Sequence, residues 1–505
     1  MKKKYSFSIL FLFIICTAFG QNITGKIIDS NTGEIISYAN IGINEKENSI
    51  SNEEGYFTLS ENGIDDKTSL TISCIGYVVQ KITVEDLKKM QNIVKLAPSI
   101  FELNEVNVSN QKLSPYDIMA NVKANFKTNY PYSSKPKKDL IFFRESNNFK
   151  PKILDVEIDK STGFSKDALK SANAQMASFT SKLKTNPPKH FIDFICNKYS
   201  HVTKKDGKNL YISKMEVMKA TKLKDANNAV ALDDLEKSTT DIVLKHLDST
   251  KYYRVKSGLF GSRDTITLRK DYNQKKSKSP KNQLTAAKSK LDVFTYSNSI
   301  SNTSKFDFIH TPENYVYKFE GASFSDQEEL IYELSFKPKK SKAKYKGTLY
   351  ISESDFAVIR ADYKLEEGKK LNSLNLKLLL GVKSSENISN GTVIYKKNTI
   401  DKGYILHYAA QESGRYFYVN RPLKFIELTS GEKDIFDLDL KVEGNSFEKQ
   451  EYLNINHSES DALAIENIKE TDFNYLQIKK YDPKIWKDYS AIEPTEEMKQ
   501  FKSVD

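Results

Sequence analysis

The first hundred positions break into short runs in which apolar and polar side chains alternate. Residues 23–28, 38–43, 56–59, 69–75, 77–84, 93–96 and 106–108 read this way, as half-buried strands do. Between them stand turn clusters, Asp29-Ser30-Asn31-Thr32-Gly33 and Asn52-Glu53-Glu54-Gly55, where glycine accepts the positive φ that other residues resist. No helical period appears before Glu85. Short strands at this spacing predict a β-sandwich over residues 22–108.

After residue 112 the period changes. Ser114-Pro115-Tyr116-Asp117 has the form of a capping box with proline at the first helical position, and Ile118, Val122 and Phe126 recur one turn apart. That helix should stop before Tyr130-Pro131, ahead of a strand at Leu140-Ile141-Phe142-Phe143-Arg144. Leu169, Ala172, Met176, Phe179 and Leu183 mark a second amphipathic helix, and Leu232, Leu235, Ile242 and His246 a third. From Leu291 onward the pattern is one of strands. Residues 345–351 and 356–360 flank Ser352-Glu353-Ser354-Asp355 as a hairpin. Leu374, Leu376, Leu378 and Leu380 alternate with more polar neighbours, and 393–396, 404–409, 416–419 and 435–442 continue a meander. The expected fold is mainly β with some α: an N-terminal seven-stranded β-sandwich, then an α+β domain built on a large antiparallel sheet. Its helix-rich part would span 112–290, and its sheet with a polar C-terminal tail 291–505.

Residues 1–20 read as a secretory signal peptide. Lys2, Lys3 and Lys4 precede an apolar core at 7–16, and Thr17-Ala18-Phe19-Gly20 supplies small residues for cleavage. Cys16 follows Ile14-Ile15, bulky residues where a lipoprotein signal needs small ones, and reads as part of the apolar core. No later run is long and apolar enough for a membrane helix. The formal net charge is +11, and losing the three leader lysines leaves about +8 on the mature chain. An anionic lipid head group or an acidic polysaccharide suits that balance. Nucleic acid does not, because no motif interleaves base-stacking aromatics with the basic runs. Cys74 shares the Leu70/Ile72 face of a strand, and with Cys196 it has neither the spacing of a zinc site nor that of a redox pair.

Four stretches carry a family likeness: G-K-I-I-D-S-N-T-G-E-I-I-S-Y-A-N-I from Gly25, S-N-E-E-G-Y-F-T-L from Ser51, L-T-I-S-C-I-G-Y from Leu70 and E-L-N-E-V-N-V from Glu102. Together they resemble the carboxypeptidase-regulatory-like domain that precedes many outer-membrane transporters and other envelope proteins of Bacteroidota. The resemblance implies a seven-stranded, transthyretin-like sandwich without peptidase activity, used for presentation or protein contact. The remainder, through I-M-A-N-V-K-A-N-F-K-T-N-Y-P, L-I-F-F-R-E and Y-K-G-T-L-Y-I-S-E-S-D-F-A-V-I-R, is similar to Bacteroidota proteins of unassigned activity that carry this region after such a domain. Its run of strands also looks like the curved sheets of periplasmic lipoprotein carriers. A transporter is not expected, since the stretch after 108 is short for a plug and a large barrel and lacks successive lipid-facing strands.

No local motif announces catalysis or a cofactor. His190, His201, His246, His310, His407 and His457 include no HExxH pair, and GxSxG, a Walker loop and GxGxxG are missing. Asp437 and Asp439 alternate with Phe436, Leu438 and Leu440, as outward strand positions do, and His407 reads as a sheet histidine. A triad drawn from distant residues would be recognisable only by geometry. Two basic clusters remain: Lys337, Lys339, Lys340, Lys342, Lys344 and Lys346, and a run from Lys270 to Lys281. Either they grip lipid phosphates or they are solvated loops that guard strand edges. Three functions therefore stand in order: a non-catalytic exported protein of periplasm or outer membrane that binds envelope proteins or lipids, a lipid or lipoprotein-like ligand carrier, and an envelope hydrolase.

Overall fold

The computed structural model describes residues 23–44, 47–60, 63–99, 113–162, 165–187, 189–224, 252–257, 260–267, 282–325, 329–428, 435–489 and 491–501. The leader, Cys16, the stripe from Leu232 to His246, the strand expected at 106–108 and the lysine run 270–281 lie outside these residues. The chain divides into two compact units. One takes in the sandwich, a short piece at 323–325 and Tyr481–Gln500; the other holds most of the chain from 113 to 480.

The first unit has seven strands: β1 (Ile23–Asp29), β2 (Asn40–Ile43), β3 (Glu47–Ile50), β4 (Tyr56–Leu59), β5 (Ser69–Ser73), β6 (Gln80–Thr83) and β7 (Ile93–Leu96). They form two sheets, β4-β1-β7 and β3-β2-β5-β6. Between the sheets lie Ile27, Ile41, Phe57, Leu59, Leu70, Ile72, Val94 and Leu96, all buried. The expected strand from Tyr38 begins two residues late because Tyr38 itself has φ 60°. The run 77–84 is cut short where Thr83 caps helix α1 (Val84–Lys89), its hydroxyl and the Asp86 carboxylate forming a capping box. At the β3–β4 turn, Gly55 has φ 77°, and a Cβ there would meet the Ile27 carbonyl oxygen at 2.8 Å. Asn52 organises this turn: its Oδ1 accepts from the N–H groups of Glu54 and Tyr56, both at 2.9 Å. Its amide donates to the Glu493 and Pro494 carbonyls at 3.2 and 3.3 Å. The segment Tyr481–Gln500, expected as a tail of the sheet domain, thus belongs to the sandwich unit. Trp486, Ile492 and Met498 are buried there.

The second unit opens with helix α2 (Pro115–Asn129), whose capping box is the expected Ser114 and Asp117 pair. Strand β8 (Lys137–Ser161), helix α3 (Lys166–Thr185), β9 (Lys189–Lys205), β10 (Lys208–Lys224), β11 (Tyr252–Ser257) and β12 (Phe260–Thr267) follow. Helices α4 (Gln283–Ser297) and α5 (Asp307–His310) lead to β13 (Tyr315–Phe324), β14 (Leu330–Pro338), β15 (Tyr345–Ser352), β16 (Val358–Leu365) and β17 (Ser373–Leu376). After the turn α6 (Lys377–Leu380) come β18 (Val382–Lys397), β19 (Tyr404–Glu427), β20 (Ile435–Glu459), α7 (Ala462–Asn467) and β21 (Leu476–Ile478). Fourteen of these strands make one sheet, its main path β13-β14-β15-β16-β18-β19-β20-β8-β9-β10-β21.

Three expectations need correction. Residues 112–290 are not mainly helical, because β8, β9 and β10 are long strands whose frequent lysines and asparagines hide their alternation. Leu291, placed at the start of the strands, lies inside α4 and faces the core. The leucine run does not stay extended past Leu376: Leu379 is apolar where alternation calls for a polar residue, and the chain turns instead.

Helices α2, α4 and α5 fill one region against the sheet. Ile118, Met119 and Val122 join Leu291 and Phe294, Phe306 and Phe308, and the sheet residues Phe143, Phe194, Phe336, Leu349, Tyr363 and Tyr452. Phe308 stacks on Phe336 at 4.3 Å and Phe143 on Phe194 at 5.2 Å. The far halves of the long strands carry separate cores under α3, one of Val156, Ile158, Met176, Tyr253, Phe425, Phe436 and Leu438, another of Phe149, Leu154, Leu183, Phe417 and Val442.

Two predictions follow from this packing. Asn52→Ala should lower the stability of the sandwich unit by about 2–3 kcal/mol, read from urea unfolding, because it strands four backbone partners at once. Lys305 is the second probe. Its ammonium donates to Asn298 Oδ1 (2.7 Å) and Gln411 Oε1 (2.8 Å), and burial pushes its pKa down to about 7. Between pH 7 and the unfolded lysine value near ~10.4 the unfolded chain holds the extra proton, so this group makes stability rise with pH. The stability of Lys305→Met minus that of the parent should therefore fall from pH 7 to pH 10, by up to about 1.4 kcal/mol per unit.

Candidate functional site

In the second unit, one pocket of about 250 Å³ is lined by Ile192 of β9, Lys222 of β10, Gln283, Ala286, Ala287 and Lys290 of α4, and Asn474, Tyr475 and Gln477. Its apolar floor follows from the pattern of α4, which turns Leu284, Ala287 and Leu291 to the sheet and leaves Gln283 and Lys290 at the margin. Lys290 Nζ reaches the Glu145 carboxylate at 2.6 Å. Glu145 also accepts from Gln450 Nε2 (3.1 Å) and Asn147 Nδ2 (2.9 Å). Burial alone would raise the Glu145 pKa; the Lys290 charge and these hydrogen bonds outweigh it and hold the carboxyl below its ordinary value. Glu448 is pushed the other way, by burial and by the charge on Glu145. Burial, with Glu145 nearby, lifts the Tyr475 phenol to about 12. Two ammonium groups, three carboxamides and a phenol that keeps its proton can hold a small polar or anionic group.

Four of the described histidines have settings that explain them structurally. His457 Nδ1 lies 2.5 Å from Asp139 Oδ1, and its Nε2 3.1 Å from Asn398 Oδ1. His310 Nε2 is 2.8 Å from the Ile300 carbonyl, with its ring against Phe126. His201 lies 3.5 Å from Glu466. His407 is buried in β19, and burial holds it neutral. Among the described residues, no group of three or more His, Cys, Asp or Glu side chains is placed to hold a metal ion. Cys74 and Cys196 are free thiols; Cys196 is buried, which pushes its pKa up to about 12. Asp437 is half-buried between the buried Phe436 and Leu438, 3.4 Å from Lys424, and Asp439 is exposed one position beyond Leu438 on the same strand.

The six lysines of the β14–β15 hairpin do not act alike. Lys344 Nζ donates to the Leu371 carbonyl at 2.9 Å, and Lys346 pairs with Glu366 at 2.8 Å, so both serve the fold. Lys337, Lys339, Lys340 and Lys342 are exposed around the loop. The pocket residues escaped the sequence reading because they come from four separated stretches, each ordinary by itself.

With the sandwich geometry in place, the family comparison is direct: the model of the CarboxypepD_reg-like domain matches residues 23–108. Residues 23–108 are a CarboxypepD_reg-like domain. Among the described residues it shows seven strands, the number the resemblance implied, with Glu47–Ile50 among them and the strand expected at 106–108 outside the described residues. No curated protein matches the chain. Among solved structures, a MucA/MucB complex from Pseudomonas aeruginosa is 7% identical, covering 68% of this chain and 100% of that one, with a TM-score of 0.15. A DUF1329 family protein from Desulfovibrio piger is 8% identical over 64% of this chain and 90% of its own, with a TM-score of 0.17. Superpositions at that level do not bear on function.

Lys290→Met tests the electrostatics of the pocket. A carboxyl with a depressed folded pKa contributes stability above its unfolded value of ~4.3, and the contribution is lost as pH falls through the folded one. The variant should be less stable than the parent by about 1–2 kcal/mol at pH 7, allowing for the partial exposure of the lysine. The gap should narrow as pH falls from the unfolded carboxyl value of ~4.3 through the depressed folded one; melting curves across that range check it.

Proposed function

We propose that this chain is an exported envelope protein that works by binding and not by bond chemistry, with the CarboxypepD_reg-like domain serving protein contacts and the large sheet serving as a rigid frame. The observation that carries this reading is the packing of the core among the described residues. Where a carrier would need a dry apolar cavity, α2, α4 and α5 pack their own Leu, Met and Phe side chains against the sheet. His457 and His310 serve the same frame, one lying against Asp139 and Asn398 and the other against the Ile300 carbonyl. The leader-like residues 1–20 support export, and among the described residues no helix is long and apolar enough to cross a membrane.

Native mass spectrometry of protein extracted from membranes, joined to hydrogen exchange, tests the frame. The expected result is the mass of the bare chain, with the amides of Leu291 and Phe294 protected equally with and without added lipid. A bound lipid that deprotects α4 would replace the frame with a carrier.

A further inference from the structure

Two of the most exposed apolar side chains in the described chain stand side by side on one hairpin. β17 and β18 pair from Ser373↔Ser385 to Leu376↔Val382, and α6 with Gly381 makes the turn between them. Leu378 is 104% exposed and Leu379 79%, with Leu374 at 49% on the adjoining strand. Single exposed leucines are ordinary, but adjacent ones at the tip of a fixed turn mark a contact surface. The turn is fixed. Gly381 has φ 66°, its N–H donates to the Lys377 carbonyl at 3.0 Å, and its own carbonyl accepts from Asn420 N–H at 2.8 Å. A Cβ on Gly381 would come within 2.0 Å of the Asn420 oxygen, so only glycine lets this tip sit against β19.

The surroundings are cationic. Residues 368–385 contain Lys369, Lys370, Lys377 and Lys383 and no Asp or Glu. Lys377 Nζ lies 4.3 Å from the Tyr418 ring centre, and Lys383 Nζ 5.6 Å from that of Tyr416. Lys369 donates to the Ser341 carbonyl at 2.7 Å, which ties the base of the hairpin to the loop bearing Lys339, Lys340 and Lys342. Of the acidic groups on the neighbouring strands and loop, Glu386 pairs with Arg415, Glu443 with Lys152 and Glu366 with Lys346, while Glu367 is exposed at the base of the hairpin. An apolar tip with an ammonium collar matches a bilayer surface, where leucines enter the acyl boundary and lysines stay at the phosphates.

We infer that the hairpin 373–385 docks this chain onto the surface of an anionic lipid bilayer. This deepens the binding role proposed above by naming a partner surface. The interior test reads α4 and this one reads the hairpin, so the two fail separately.

Cosedimentation of the purified chain with vesicles of phosphatidylglycerol, and separately of phosphatidylcholine, tests it. The chain should partition onto phosphatidylglycerol and more weakly onto phosphatidylcholine. The double variant L378S/L379S should lose at least ~10-fold in partitioning to both, with an unchanged melting curve, since both side chains are already in water. Lys377→Gln with Lys383→Gln should lose ~10-fold on phosphatidylglycerol alone. In Leu379→Trp, indole emission should shift to the blue on adding phosphatidylglycerol vesicles. Equal partitioning of the parent and L378S/L379S, or none with either vesicle, overturns the inference. So does a change of oligomeric state in L378S/L379S with vesicle binding intact, which assigns the leucines to a second copy of the chain.

Discussion

A strand of twenty-five residues cannot stand unpaired, and the large unit is organised by that constraint. Strands β8 and β20 each run this length and pair with each other from end to end. At ~3.3 Å per residue they reach ~80 Å, several times the usual strand and longer than one core can cover. On its other side β8 is paired by β9 only as far as Asn148. Beyond that point α3 takes over, and Asn173 both donates to the Ile158 carbonyl (3.0 Å) and accepts from the Ile158 N–H (2.8 Å). One side-chain amide thus stands in for a missing strand. On β19 the same need is met by a change of partner: β18 pairs as far as Val419, and β11 takes over from Leu423. The leucine hairpin sits at that changeover, where the sheet steps and a turn is free to project.

Long strands also raise the problem of register, because a slip by one residue turns every side chain to the other face. Buried polar groups penalise such slips. Arg144 and Asp193 face each other across β8 and β9, the arginine Nε and Nη2 donating to the two carboxylate oxygens at 2.9 and 2.8 Å, with side chains 5% and 0% exposed. A shifted register would separate this pair and leave charge in a dry interior, at a cost of several kcal/mol. Asp139 and His457 do the same across β8 and β20, and Asp139 also accepts from Asn454 Nδ2 at 3.0 Å. These two buried pairs thus act as alignment devices.

What the sequence disclosed tracks how local the cause is. The Ser114–Asp117 box, strands β4 and β7, the α3 stripe and the β15–β16 hairpin depend on neighbours within a turn or two, and all were legible. The sandwich was legible as well, though β3 went unread because Asn48 and Ser49 blur a four-residue strand. Strands β9 and β10 were missed for a different reason. Their outward positions are so rich in lysine, asparagine and serine that the inward Phe194, Cys196 and Met215 do not stand out as a period. The candidate pocket was illegible in principle, since Glu145, Lys222, Lys290 and Tyr475 meet only through sheet pairing. The leucine tip did leave a local sign: Leu378-Leu379-Leu380 followed by glycine breaks the two-residue period, and such a break in a strand asks for a turn with an apolar crest.

The sandwich unit is physically larger than the family it belongs to. The family match ends at 108, yet Tyr481–Gln500 supplies the carbonyls that Asn52 needs and the Glu493 carboxylate that the Thr58 hydroxyl meets. Lys499 bridges Glu493 and Glu496 at 2.9 and 3.0 Å and lies 5.1 Å from the Tyr56 ring centre. A buried asparagine whose four partners come from both ends of a chain does more than close a turn. Without Tyr481–Gln500 its amide would turn to water, and the unit would lose the net contribution of those two bonds, about 1 kcal/mol each. The sandwich unit is therefore completed by Tyr481–Gln500, a segment far from it in sequence.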